Sequence, residues 1–443
     1  MVSLRRRLLA GGFWVLVGKL ATVVSTLATH GLLARLLEPE VYGVFVIAFS
    51  LVTVAAMVAR LGLQFAIVRL IAESLGVGDE RRARGAIFTT YRLALAGTAA
   101  VAGVLWFGGG RLAVGMWDSP RLAAAMGAVS AWVAVTSFQV LNSETLRGFK
   151  DLRNATLFGG VVVGLANILA LGLWRWSGRP LLLTQVIWLH VATTGLSVAL
   201  GAWAVRLRTV RLAPGRIRAG EVAGIAFPMW ITALTQHALA ESAVWILAVY
   251  AAKEGVAVYG AAARVVNVVS MPLILVNLVV PPYIAEMYSR GDRERLQRIL
   301  RQTATLAGVP AVVVLLGLVI FGEPLLGLAF GDYYRAGALV LAILSAGKLV
   351  NVATGSCGVT MSMTGHQRVL MWITLATTVL TMAICVALAP GKGATGVALA
   401  VSAGTVVQNI VLWLATRHYT GLWTHCALPR RSDLQALLVR GGP

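Results

Sequence analysis

The sequence predicts an all-α membrane protein, about 12 transmembrane helices in two parallel six-helix lobes around a central cavity. Three observations predict it. The 443 residues are 58% hydrophobic and only 12% charged, with a mean hydropathy of +0.81, more apolar surface than a water-soluble fold covers with polar groups. Apolar runs of about 18 or more residues recur along the chain, each enough to cross a hydrocarbon core of about 30 Å. The two halves also share short motifs in the same order.

In chain order the spans fall at 11–32, 41–64, 86–108, 122–146, 155–174 and 181–204, then 222–250, 256–282, 304–321, 336–361, 369–389 and 394–416. Backbone groups in lipid must be paired within their own segment, so these spans are helices. The turn Glu38-Pro39-Glu40 separates the first from the second. Lys348 interrupts the tenth, and the glycines of Gly393–Gly396 blur the start of the twelfth. Arg5-Arg6-Arg7 precedes the first span with no small-residue cleavage site, so that span reads as a retained helix rather than a signal peptide. These limits give an N-terminal six-helix lobe at 1–208, a basic linker at 209–221, a C-terminal lobe at 222–416 and a tail at 417–443.

Counting Lys and Arg in the connections tests orientation. With the N-terminus in the cytoplasm, inside segments hold 25 and outside segments 8 of the 38. Both termini are therefore expected in the cytoplasm. The same bias accounts for the net charge of +21, through topology and anionic headgroups rather than a nucleic-acid partner. Cys357, Cys385 and Cys426 form neither a CxxC pair nor a metal-ligand spacing, and nothing calls for a cofactor.

The shared motifs form a duplication. Tyr42-Gly43 recurs as Tyr259-Gly260, Ile71-Ala72-Glu73 as Ile284-Ala285-Glu286, and Gly78-Asp79 as Gly291-Asp292. Phe107-Gly108 recurs as Phe321-Gly322, and Gly148 pairs with Gly365, all at offsets of 213 to 217. Six spans separate the copies, an even number, so they are parallel repeats related by an axis along the membrane normal. Two such lobes can rock about a cavity, which is an architecture for transport.

Ionisable groups inside the bilayer are costly and mark pathways or pairing sites. Five cations lie within the spans, Lys19, Arg60, Arg92, Arg264 and Lys348, against the carboxylates Glu144 and Glu241. Arg60, Arg92 and Glu144 sit near the expected cytoplasmic ends, within reach of the interface; Lys19, His237, Glu241, Arg264 and Lys348 lie deeper. Lys19, Thr22, Thr26 and His30 share one stripe of the first helix and are expected to line the cavity; Arg264 shares a face with Asn267, and Lys348 with Asn351. A cavity with excess positive charge suits an anion such as a phosphate or pyrophosphate. His237 and Glu241, four apart, are candidates for proton coupling, with a satisfied core pair as the alternative. Pro228 and Pro272 are candidate hinges. Residues 283–300 alternate charge with apolar residues at helical spacing, which predicts an amphipathic interfacial segment, with the stretch near Gly78–Arg84 as its counterpart.

The run Ala34-Arg35-Leu36-Leu37-Glu38-Pro39-Glu40-Val41-Tyr42-Gly43 resembles the first loop of the O-antigen flippase branch of the multidrug/oligosaccharidyl-lipid/polysaccharide exporter superfamily. Leu61-Gly62-Leu63-Gln64-Phe65-Ala66-Ile67-Val68-Arg69 resembles the end of that family's second helix. Tyr259-Gly260-Ala261-Ala262-Ala263-Arg264, followed by Pro272, Pro281 and Gly291-Asp292, resembles its eighth helix and the loop after it. The resemblance covers roughly residues 10–415. It implies export of a polyprenyl-pyrophosphate-linked oligosaccharide across a bacterial inner membrane, with Lys19, Arg264 and Lys348 contacting the pyrophosphate or acidic sugars. Candidate partners are membrane lipids, a polysaccharide polymerase and a chain-length regulator. The rival readings are a cation-coupled drug antiporter of the same superfamily, which calls for deep carboxylates in the first lobe, and a glycan polymerase or ligase. The outer loops 109–121 and 322–335 are too short to form an enzyme's external domain.

Overall fold

The computed structural model describes residues 4–427, with side chains from residue 17 onward except at 228, 232, 235–240, 278, 279, 282 and 285. Among the described residues there are helices and turns and no strand. In order they are α1 (Leu4–Leu36), α2 (Pro39–Arg60), α3 (Leu63–Gly76), α4 (Glu80–Trp117), α5 (Pro120–Gly148), and α6 (Leu152–Thr156), continued through a π-helical turn (Leu157–Val161) into α7 (Val162–Trp176). Next come α8 (Leu183–Thr209), α9 (Ala219–Tyr250), α10 (Lys253–Val279), α11 (Pro281–Ser289) and α12 (Arg293–Phe330). A 3-10 turn (Asp332–Gly337) leads to α13 (Ala338–Thr354), α14 (Cys357–Met363) and α15 (Gln367–Thr420).

Ten of these segments are long and apolar enough to cross a membrane. The last, α15, is two helices joined where Gly393 leaves helical geometry at φ 52°, and α9 is 32 residues long. Helix starts follow local chemistry: Asp79, Ser119 and Asp151 each accept from a backbone N–H three residues on, at 2.9, 3.3 and 3.3 Å. Prolines stand at the first turn of α2, α5 and α11, where no N–H is needed.

Three expected span limits need correction. The second span ends at Arg60 rather than 64, because Leu61 and Gly62 both take left-handed backbone at φ 48° and 78°. The eighth ends at Val279, with Pro281 opening α11. The tenth ends at Thr354, where Gly355 turns left-handed at φ 76°, and Lys348 does not interrupt it.

The chain forms two compact units, Met1–Ala257 with Ala329–Gly331, and Val258–Leu328 with Asp332–Pro443. In the first, α5 is the central helix, packed by α2, α3, α4 and α8, while α1 lies along α6 and α7. That last seam is close because Gly160 and Gly164 of the π-bulged helix face Thr22 and Ser25 of α1. Helix α9, assigned by the repeat to the second half, packs on α2, α3 and α4, with Trp230 Nε1 donating to the Met57 carbonyl at 3.1 Å. In the second unit α15 packs on α13 and α14.

The duplication is visible in three dimensions. Tyr42 and Tyr259 are both buried, as are Ile71 and Ile284. Gly78 and Gly291 both take φ 76°, and α4 and α12 are each 38 residues long. The repeat also extends to a feature without sequence similarity. In the first unit, residues 210–218 cross the start of α4 as a strap, bound by Arg84 Nη1 to the Leu212 carbonyl at 2.8 Å and Thr89 Oγ1 to the Ile217 carbonyl at 3.3 Å. In the second, residues 421–427 cross the start of α12, with the Trp423 N–H donating to Gln297 Oε1 at 2.9 Å and the Ala427 N–H to Thr305 Oγ1 at 2.9 Å. Leu212 joins a cluster with Ile67, Ile71 and Ile87, and Leu422 one with Ile284, Leu296 and Leu300. The amphipathic segment expected at 283–300 is α11 and the first turns of α12, its apolar side being that second cluster.

Candidate functional site

Each unit carries its own set of polar residues. In the first, Lys19 is exposed on α1, but the stripe it heads does not stay together. Thr22 and Thr26 return their hydroxyls to the carbonyls four residues back, at 2.7 Å each, and Thr22 packs on Gly160. His30, 2% exposed, contacts Tyr42 Oη at 3.1 Å. The expectation of one continuous cavity-lining stripe is therefore corrected. The small polar residues serve the α1–α7 seam, and His30 belongs to a packed aromatic cluster with Phe45, Phe49, Trp132 and His190.

Arg60 is different. It closes α2 at 7% exposure, and its Nε and Nη1 have no hydrogen-bond partner. Glu144 on α5 is held instead by Arg147, 2.9 Å away. Beside it Tyr91 Oη donates to Asn142 Oδ1 at 2.6 Å, and Asn142 Nδ2 reaches the Val198 carbonyl at 3.0 Å. The carbonyl of Phe158, in the π turn, accepts from both Gln139 Nε2 and Ser197 Oγ, at 3.3 and 2.8 Å. A π turn leaves such carbonyls open to side chains. This polar seam of α5 was not singled out from the sequence, although Gln139, Asn142 and Ser143 sit three and four apart, a spacing that could have found it. Arg92 is exposed on α4. Glu241 is half-buried on α9, while the side chains of Pro228 and His237 lie outside the described residues, so their pairing and hinge readings stay as expectations.

In the second unit Arg264 is half-buried on α10, and Asn267 is exposed there with its amide on the Ala263 carbonyl at 3.1 Å. Pro272 lies inside the same helix. Lys348 is half-buried on α13, one turn from Asn351, whose amide donates to Asn409 Oδ1 of α15 at 2.8 Å. Among the described residues no carboxylate lies within salt-bridge distance of Lys19, Arg60, Arg92 or Lys348, and no His/Cys/Asp/Glu group could hold a metal ion. The ion pairs seen, such as Arg82–Glu221 and Arg208–Asp151, sit at helix ends. Among the described residues the arrangement offers buried positive charge and side-chain amides, groups that hydrogen-bond anions.

A model of the family described as "Polysaccharide biosynthesis protein" matches residues 32–339. The chain belongs to that family. No curated protein matches it. Among solved structures, this polysaccharide biosynthesis protein is similar to an inward-facing multidrug resistance MATE family transporter of the MOP superfamily, at 16% identity, covering 90% of this chain and 94% of the other, with a TM-score of 0.78. It is similar to the lipid II flippase MurJ in an inward closed conformation, at 12% identity over 95% and 89%, with a TM-score of 0.70. A third likeness is to a MOP superfamily transporter from Pyrococcus furiosus described as having a binding pocket of reverse polarity, at 15% identity over 94% and 96%, with a TM-score of 0.65. At these identities the likeness is one of fold, and this member of the family is a multi-pass membrane protein of the fold those transporters share.

Proposed function

We propose that the protein is a flippase that carries a polyprenyl-pyrophosphate-linked oligosaccharide, an O-antigen or exopolysaccharide unit, from the cytoplasmic to the outer leaflet of a bacterial inner membrane by alternating access. The observation that carries this reading is Arg60, a guanidinium 7% exposed with two donors unpartnered, in a chain of the polysaccharide biosynthesis family. A buried guanidinium with unpartnered donors is destabilising, and an anionic cargo would supply the acceptor. Lys348, half-buried and with no carboxylate at hand among the described residues, makes the same demand in the second unit. Lys19, Arg92, Arg264 and Asn267 are proposed as further cargo contacts, Pro228 and Pro272 as hinges, and His237 with Glu241 as the proton-coupling pair. Both termini are assigned to the cytoplasm on the 25-to-8 bias of the loops.

The likeness to MATE family transporters favours a second reading, a drug or cation antiporter. Unpaired cations disfavour a cationic cargo, since like charge in a low-dielectric site repels it. Deleting the gene in its host decides between them. Lipid-linked glycan accumulating in the cytoplasmic leaflet supports the flippase, whereas an unchanged glycan distribution with raised drug sensitivity supports the antiporter.

A further inference from the structure

The strap that crosses α12 differs from its repeat counterpart in charge. Gly78-Asp79 matches Gly291-Asp292, so Glu80 at the start of α4 corresponds to Arg293 at the start of α12. In the first unit the basic strap, with Arg211, Arg216 and Arg218, meets acids. Glu80 Oε2 accepts from the Ala213 N–H at 3.4 Å, and Arg82 pairs with Glu221 at 2.6 Å just past the strap. In the second unit a base stands where that acid stood. Arg293 Nη1 lies 3.6 Å from the place a Cβ on Gly421 would occupy, and Arg417 Nη1 donates to the Gly421 carbonyl. Two guanidinium groups thus meet at one glycine. Among the described residues neither forms an ion pair with a carboxylate. Nearby, Asp292 accepts from the Arg295 N–H at 3.4 Å, and Glu286 pairs with Arg290 at 2.9 Å.

Each guanidinium lies against an aromatic ring: Arg293 Cζ is 5.7 Å from the centre of Tyr288, and Arg417 Cζ is 5.1 Å from that of Trp423. The rings orient the two groups but leave like charges facing one another without a counter-ion. Arg293, Arg417 and Gly421 are all exposed, so the space beside them is open. Arg417 stands in the last turn of a membrane-crossing helix, and Ile410 and Leu414, at helical spacing on the same face, are exposed. An exposed apolar face capped by arginines and aromatic rings has the outline of a lipid, with the acyl chain along the helix and the phosphate at its end.

We propose that Arg293 and Arg417 bind the phosphate of an anionic phospholipid, and that the bound lipid holds the strap at 421–427 on α12. The phosphate takes in the second unit the part that Glu80 plays in the first, and the planar forks of two arginines suit its oxygens. The site lies within one unit and is independent of what the cargo is.

Hydrogen exchange of 421–427 in the purified full chain tests it, in phosphatidylcholine nanodiscs with and without phosphatidylglycerol. Phosphatidylglycerol is expected to slow exchange about fivefold or more, the effect of one arginine at a headgroup. Arg293→Gln removes that slowing, whereas Arg290→Gln, at a charge already paired with Glu286, keeps it. Arg293→Glu rebuilds the arrangement of the first unit, so its strap is protected in phosphatidylcholine alone and gains nothing from phosphatidylglycerol. Equal exchange of the native chain in the two lipids overturns the proposal. So does an Arg290→Gln variant that loses the slowing as fully as Arg293→Gln, since the basic surface as a whole then attracts the lipid. An Arg293→Glu strap that still needs phosphatidylglycerol overturns it too, and the two glutamine variants decide if Arg293→Glu does not fold. Inorganic phosphate that protects the strap in phosphatidylcholine as well as phosphatidylglycerol does would overturn the lipid as the ligand.

Discussion

At the scale of the residue, the charges inside the spans separate by what surrounds them. Lys348 meets no carboxylate among the described residues, although a buried ammonium calls for a partner. Lys348→Glu is expected to abolish glycan export while leaving insertion and expression unchanged, read as lipid-linked glycan trapped in the cytoplasmic leaflet; export at the wild-type rate would remove Lys348 from the path. Gly355 illustrates a constraint of a different kind. Its φ is 76°, and a Cβ there would strike the Thr424 carbonyl. Gly365 has φ 87° with open space around it. Gly355→Ala is therefore expected to lose about 2 kcal/mol or more, and Gly365→Ala only its share of backbone strain, about 1 kcal/mol, compared by thermal unfolding in detergent.

At the scale of the element, the strap at 421–427 carries a group that titrates near neutral pH, His425. His425 accepts from Trp413 Nε1 at Nδ1, 3.1 Å away, while Arg301 Nη2 stands 3.5 Å from Nε2. Burial, then the charge of Arg301, holds the imidazole below its ordinary value of 6.5. A docked strap thus refuses a proton that a released strap accepts, so its docking is full above about pH 6.5 and weakens as the pH falls below it. Hydrogen exchange of 421–427, corrected for intrinsic rates, should speed up on acidification to pH 5.5, and His425→Gln should flatten that dependence. No change between pH 7.5 and 5.5 in the native chain would set the idea aside.

At the scale of the whole molecule, duplication and topology make one joint prediction. A single cysteine at Gly78 or at Gly291, in a background lacking Cys357, Cys385 and Cys426, should react with a membrane-impermeant reagent only from the cytoplasmic side. One at Asp118 or Asp332 should react only from outside. Labelling of 78 and 291 from opposite sides would make the repeats antiparallel.

Much of this was legible in the sequence. The long apolar spans were legible because the bilayer itself sets helix length and forces backbone pairing within each segment, and the repeat because its motifs recur in order. The left-handed stops at Leu61 and Gly355 were not legible, because each lies inside an apolar run where hydropathy carries no signal. Nor was the stripe of α1: helical spacing placed Lys19, Thr22, Thr26 and His30 on one face, but only tertiary packing decided what that face meets. The sequence by itself determined a membrane protein of two six-helix repeats with surplus positive charge within its spans. Only the tertiary structure decided that Thr22 is spent on the Gly160 seam, that Glu144 is taken by Arg147, and that two donors of the buried Arg60 are left without a hydrogen-bond partner. The physical reason is that pairing between helices depends on how they are rotated and how closely they approach, and periodicity along one helix records neither.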